Sequence, residues 1–132
     1  EIDVIGIKLE KNKEEVFLCE VSTHLDGLQY GKNYKATVQR IKEKYFRQKE
    51  YARKELPRHF KKRYMLWSPV VSPKLVRLLS EERNRALKNL EIVINESYTD
   101  CINKLEEIAK SKTKDFGNPF FRALQILGHL KK

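Results

Sequence analysis

At 132 residues, with 40% hydrophobic and 35% charged side chains, the chain has one domain's length and a globular rather than a disordered composition. No apolar run approaches the ~20 residues needed to cross a bilayer, and no signal-peptide pattern opens the sequence, which argues against a membrane protein. The formal net charge of +10 is concentrated: residues 32–63 carry 13 Lys/Arg against three acids, whereas residues 1–31 carry three Lys against seven acids. A basic block beside an acidic strand region is the arrangement expected for phosphate binding next to a divalent-metal site.

In chain order, Ile2–Leu9 alternates apolar and polar residues as a strand does, a polar turn follows at Lys11–Glu14, and Glu15–Ser22 reads as a second strand. Together they predict an antiparallel hairpin. The second strand places Val16, Leu18, Glu20 and Ser22 on one face and Phe17, Cys19 and Val21 on the other. Both rows are largely apolar, so this strand is expected to be central and covered on both sides. Glu20 then ends an otherwise apolar row, where an acid needs a partner or a metal.

Thr23–Asn33 holds Asp26-Gly27 and Gly31 and reads as a loop. From Tyr34 to Leu56 the apolar positions Tyr34, Val38, Ile41, Tyr45, Ala52 and Leu56 follow a helical stripe, which Pro57 ends. The basic residues lie on its other faces, as a rigid array. Arg63–Val71 reads as a third strand, and a crossover through the basic helix would set it parallel to a neighbour. Ser72-Pro73 marks a helix start. Val76, Leu79, Leu87, Leu90 and Ile94 supply the apolar face of that helix, and Tyr98 to Ala109 continue a helical pattern with no Gly or Pro between. One bent helix over this stretch is an open alternative to two. Asn118-Pro119 starts a last helix bearing Phe120, Phe121, Leu124 and Leu127.

The expectation is an α/β fold: a small mixed β-sheet with an antiparallel hairpin, flanking helices and a helical C-terminal part. The α/β core would span residues 1–72, and residues 73–132 would form the helical part of the same domain. Cys19 and Cys101 fall at apolar positions, so buried free thiols are expected rather than a disulfide, and with them a reducing, cytoplasmic setting. The three His are too dispersed for a zinc pattern, and no P-loop, dinucleotide-binding, zincin or nucleophile-elbow motif is present.

Two acids carry the chemistry. Asp3 begins the first strand and Glu20 ends the second, and antiparallel pairing brings these positions to one sheet end. Two carboxylates there suit Mg²⁺ or Mn²⁺. The run E-I-D-V-I-G at Glu1–Gly6, a turn, then V-F-L-C-E-V-S-T at Val16–Thr23 resembles the core of the PD-(D/E)xK, restriction-endonuclease-like nuclease superfamily. The likeness covers about residues 1–71.

The resemblance implies a restriction-endonuclease-like core whose opening helix and strand would lie upstream of Glu1. It implies Asp3, Glu20 and the Val21 carbonyl as metal ligands, and a catalytic lysine where Ser22 stands. Some members carry that lysine on the following helix, which makes Lys44 and Lys42 the candidates. Lys44 is preferred because it shares a flank with Thr37 and Ile41. Lys35, Arg40, Lys42, Lys44 and Arg47 would hold the nucleic-acid backbone.

The function so implied is metal-dependent hydrolysis of phosphodiester bonds, in DNA rather than RNA, with a homodimer as one assembly. The alternatives are a catalytically inactive nucleic-acid-binding module, favoured by Ser22, and a protein-docking domain. His24 reads as a proton shuttle or an exposed loop residue. Tyr30 and Tyr34 read as base-stacking or packing residues, and Trp67 as core or a dimer contact.

Overall fold

The structure, a computed structural model, describes residues 2–131; Glu1, the first residue of the strand motif, lies outside them. Its order is β1 (Val4–Glu10), β2 (Lys13–Val21), α1 (Tyr34–Glu55), β3 (Lys61–Ser68), α2 (Pro73–Glu82), β4 (Leu90–Ile94), α3 (Asn95–Ser111) and α4 (Pro119–Leu130). The four strands form one mixed sheet in the order β1-β2-β3-β4. β1 and β2 are antiparallel, whereas β2–β3 and β3–β4 are parallel. This is the expected α/β architecture with a helical C-terminal part. No helix among the described residues is long and apolar enough to cross a membrane.

The hairpin turns tighter than its composition suggests. Glu10 pairs with Lys13 across Lys11-Asn12, and Asn12 adopts a φ of 67°. Asparagine tolerates this left-handed conformation at low cost, so two residues suffice for the turn and Lys13 and Glu14 join the strand. β2 is central, but its two faces differ. Val16, Leu18 and Glu20 are buried, while Phe17, Cys19 and Val21 are only half-buried. The cover expected on both sides is thus complete on one face and partial on the other. Cys19 and Cys101 are free thiols, each half-buried rather than fully enclosed. Burial nonetheless pushes the Cys19 thiol up, a hydrogen bond with Trp67 offsets this in part, and the Glu91 charge adds to it.

α1 forms because its 22 residues contain no Gly or Pro, and because Asn33 caps it, accepting a 2.8 Å hydrogen bond from the Ala36 N–H. Leu56 and Pro57 terminate it. Its buried side chains are Thr37, Val38, Ile41, Tyr45, Gln48 and Ala52. Ala52 packs with Val16 and Leu18, and the Gln48 amide donates to the Leu18 and Met65 carbonyls at 3.1 and 3.3 Å. The helix is thereby fixed against β2 and β3. A larger cluster joins Val38, Ile41 and Tyr45 to Leu66, Leu75, Leu79, Leu87 and Leu90.

The main departure from expectation follows α2. Leu87, Leu90 and Ile94 do not continue a helical face: α2 stops at Glu82, and Leu90–Ile94 is the fourth strand, parallel to β3. A short run such as L-E-I-V-I fits the apolar stripe of a helix as well as a buried strand, so periodicity alone does not decide. The discriminating signal is at its ends. Asn89 and Asn95 both have positive φ, 70° and 51°, and break the helix on either side.

The chain divides into two compact units, Glu1–Asn95 and Glu96–Lys132. The first contains the sheet, α1 and α2. The second contains α3 and α4, where the buried Gln125 amide donates to the Lys112 and Lys114 carbonyls at 3.1 and 3.0 Å. Gly128 lies against the Lys110 side chain, and Asn118 caps α4 through the Phe121 N–H at 2.9 Å.

Candidate functional site

The last β1–β2 pair is Val4 with Cys19, so Asp3 stands one step beyond it, at the level of Glu20. Directly opposed residues in an antiparallel pair project to the same face, which puts the two carboxyl-bearing positions side by side. Asp3 Oδ2 accepts a 2.9 Å hydrogen bond from the Val21 N–H. Successive strand residues direct their amides to alternate edges. The Ser22 N–H turns the other way, to the Trp67 carbonyl at 2.8 Å. The amide edge of Val21 therefore faces the β1 side, toward Asp3.

Glu20 is 5% exposed, and its Oε1 is paired with the Lys44 ammonium of α1. A carboxylate this deep needs such a partner. Lys44 reaches it because position 44 lies between the buried positions 41 and 48, on the flank of α1 that faces the sheet. The space behind the pair is filled, with a void of only about 10 Å³ among Glu20, Lys44, Met65 and neighbouring side chains.

Lys42 is not part of this cluster. Two residues along a helix is a rotation of ~200°, and the Lys42 ammonium instead pairs with Glu82 of α2 at 3.1 Å. The other basic positions separate by exposure. Arg40 pairs with Glu43 at 3.1 Å on the surface. Lys35 is exposed in an open groove of about 490 Å³ with Lys32 and Lys74, and Arg47 in one of about 500 Å³ with Phe46 and Lys49.

The loop between β2 and α1 supplies a residue whose place the sequence leaves open. Tyr30 is clamped at its backbone by Thr37, which is fully buried: Thr37 Oγ1 accepts from the Tyr30 N–H and donates to the Tyr30 carbonyl, each at 2.9 Å. Two residues earlier Leu28 is 1% exposed in the main core, and its N–H donates to the Val70 carbonyl at 2.8 Å. Burying one leucine stabilises by about 2 kcal/mol, so this loop is anchored. The Tyr30 ring lies 5.4 Å from the Lys44 nitrogen, and the His24 ring meets it edge-on at 6.4 Å.

Burial pushes the Tyr30 phenol up. The Ser22 hydroxyl and the Lys44 charge oppose that shift, and Glu20 and Asp3 reinforce it. The Ser22 hydroxyl is buried beside the phenol yet makes no hydrogen bond of ordinary geometry. With Lys44 near its ring and His24 at its edge, Tyr30 belongs to the cluster more than to a base-stacking surface. A threonine on the buried stripe of a helix, one turn after an Asn cap, is the signal for the clamp.

The donors at this sheet end are the Asp3 and Glu20 carboxylates, the Val21 backbone and the orphaned Ser22 hydroxyl. All are hard oxygens, a set that suits Mg²⁺ or Mn²⁺. No group of three or more His, Cys, Asp or Glu side chains comes together among the described residues. Two carboxylates with water completing the shell is the ordinary arrangement for Mg²⁺, so the residues present fit that ion. No family of known proteins matches the chain, and no curated protein or solved structure is significantly similar to it.

Proposed function

We propose that this protein is a metal-dependent nuclease that hydrolyses phosphodiester bonds, with DNA as its substrate. The observation that carries the reading is the Lys44–Glu20 pair. The PD-(D/E)xK pattern needs a cation beside its second acid, Ser22 cannot supply it, and Lys44 of the basic helix stands there instead.

In this reading Asp3, Glu20 and the Val21 carbonyl would hold Mg²⁺ or Mn²⁺, which when bound lowers the pKa of a water and polarises a phosphoryl oxygen. Lys44 orients the attacking water and stabilises charge that develops on the phosphoryl oxygens. Glu20, buried against α1, has its Oε1 paired with the Lys44 ammonium. Lys35 and Arg47, both exposed on the helix that follows the site, attract and hold the strand backbone without reading its sequence. The free thiols fit a reducing, cytoplasmic setting.

The test is cleavage of single- and double-stranded DNA and RNA in Mg²⁺ or Mn²⁺ by the intact chain and by Asp3→Ala and Glu20→Ala variants. Activity that requires the metal and is lost in both variants is expected. Equal activity in the variants sinks the proposal.

A second reading, a nucleic-acid-binding module without catalysis, is favoured by the same pair seen differently: Lys44 already neutralises Glu20. It expects binding that weakens steeply with salt and is indifferent to metal and to Glu20→Gln.

A further inference from the structure

A cation bound at Glu20 removes the partner that Lys44 holds. A lysine carries its charge on a flexible four-carbon stem and is free to swing to solvent once that partner is lost. Lys44 has a second neighbour. Its nitrogen lies 5.4 Å from the centroid of the Tyr30 ring, inside the ~6 Å range over which an ammonium is attracted to a tyrosine face. The Lys44 side chain is 22% exposed, so the attraction is only weakly screened by water.

The ring is also held in place. Thr37 fixes the Tyr30 backbone at two points, Leu28 anchors the loop in the core, and His24 abuts the ring edge. Burial keeps the phenol protonated, so it brings no competing charge at neutral pH. Lys42, on the same helix, settles on an acid of α2 instead.

We infer that Tyr30 is a positioning residue, whose ring keeps the Lys44 ammonium in the site after a divalent cation has taken the Glu20 carboxylate. The inference rests on the nuclease reading for its purpose, but the placement of Lys44 is observable without turnover. The ring does this work, and the hydroxyl is dispensable for it.

The experiment follows the Lys44 ε-methylene resonances of the whole chain by NMR, with and without Mg²⁺. In the native protein and in Tyr30→Phe, an upfield ring-current displacement is expected that persists at saturating Mg²⁺; in Tyr30→Leu it disappears. In parallel, kcat is expected to fall roughly ten-fold in Tyr30→Leu and less than about three-fold in Tyr30→Phe, with KM unchanged in both. Loss of the displacement when Mg²⁺ is added to the native chain overturns the inference, and needs no variant to fold. A ten-fold loss in Tyr30→Phe also overturns it, because the hydroxyl would then be the active part. A native chain that cuts nothing but keeps its displacement, with calorimetric titration showing Mg²⁺ bound in the native chain and not in Glu20→Ala, removes the nuclease reading and supports the placement. One that cuts while losing the displacement does the reverse.

Discussion

Lys44 pairs with Glu20 across 24 residues of sequence, joining the middle of a basic helix to the end of a central strand. The carboxylate is buried, so the pair does two things at once. It makes burial of Glu20 tolerable, and it seats an ammonium at the sheet end to which the strand register also brings Asp3.

Removing Lys44 should therefore separate stability from metal binding. Lys44→Met leaves Glu20 buried without a partner, and the melting temperature in EDTA is expected to drop. Mg²⁺ then compensates the charge and restores part of the loss. Because the ammonium no longer competes for Glu20, metal affinity should tighten by about five-fold, the worth of an ion pair near 1 kcal/mol. Cleavage should fall roughly 10²–10³-fold, the usual cost of losing one charge-stabilising donor. Calorimetric titration with Mg²⁺ and a cleavage time course read both. Unchanged metal affinity with full activity contradicts the assigned role.

Nucleic-acid affinity should depend on the exposed cations and not on the paired one. Lys35→Ala and Arg47→Ala are each expected to reduce the slope of log affinity against log salt by about one. Lys42 is engaged with Glu82, so Lys42→Ala should change the slope least. Fluorescence anisotropy at several salt concentrations measures this. An equal effect of all three would mean that the Lys42–Glu82 pair opens on binding.

Asn95 holds the end of β4 to the segment that leaves β3. Its Oδ1 accepts from the Val71 N–H at 2.8 Å and its Nδ2 donates to the Val71 carbonyl at 2.9 Å, while its own φ is 51°. Asn95→Ala loses both hydrogen bonds and leaves at this positive φ a residue that tolerates the left-handed region less well than asparagine. A destabilisation of about 2–3 kcal/mol is expected by urea unfolding. Asn95→Gly, which relieves the backbone but not the hydrogen bonds, should recover only a fraction.

Burial raises the phenols of Tyr30, Tyr45 and Tyr64 above the ordinary value for tyrosine. The folded chain thus holds these protons more tightly than the unfolded chain does. Their contribution to stability is complete below the unfolded value of ~10 and is lost as pH rises through the higher folded values. Stability should be level across neutral pH and decline above about pH 10. In Tyr30→Phe the decline should be shallower. Urea midpoints between about pH 8 and 11.5 test this window, and an identical slope in the variant would exclude Tyr30 from the linkage.

Much of this protein is written in local patterns. The alternation through Val16, Leu18 and Glu20, the stripe from Val38 to Ala52, and the Ser72-Pro73 and Asn118-Pro119 starts act over a few residues. A hairpin, a basic helix and two capped helices can be recognised from them, because pleat, helical turn and capping are short-range effects. Register through a tight turn also carries Asp3 to the level of Glu20. What local pattern does not settle is which side of an ambiguous apolar run faces which neighbour. L-E-I-V-I became a strand because β3 offered an edge to pair with and two asparagines could leave the helix. That Lys44 meets Glu20 while Lys42 meets Glu82, and that Tyr30 sits beside Lys44, is decided by packing. Each lysine swings to the acid within its reach, and which acid that is depends on how α1 lies on the sheet and on α2.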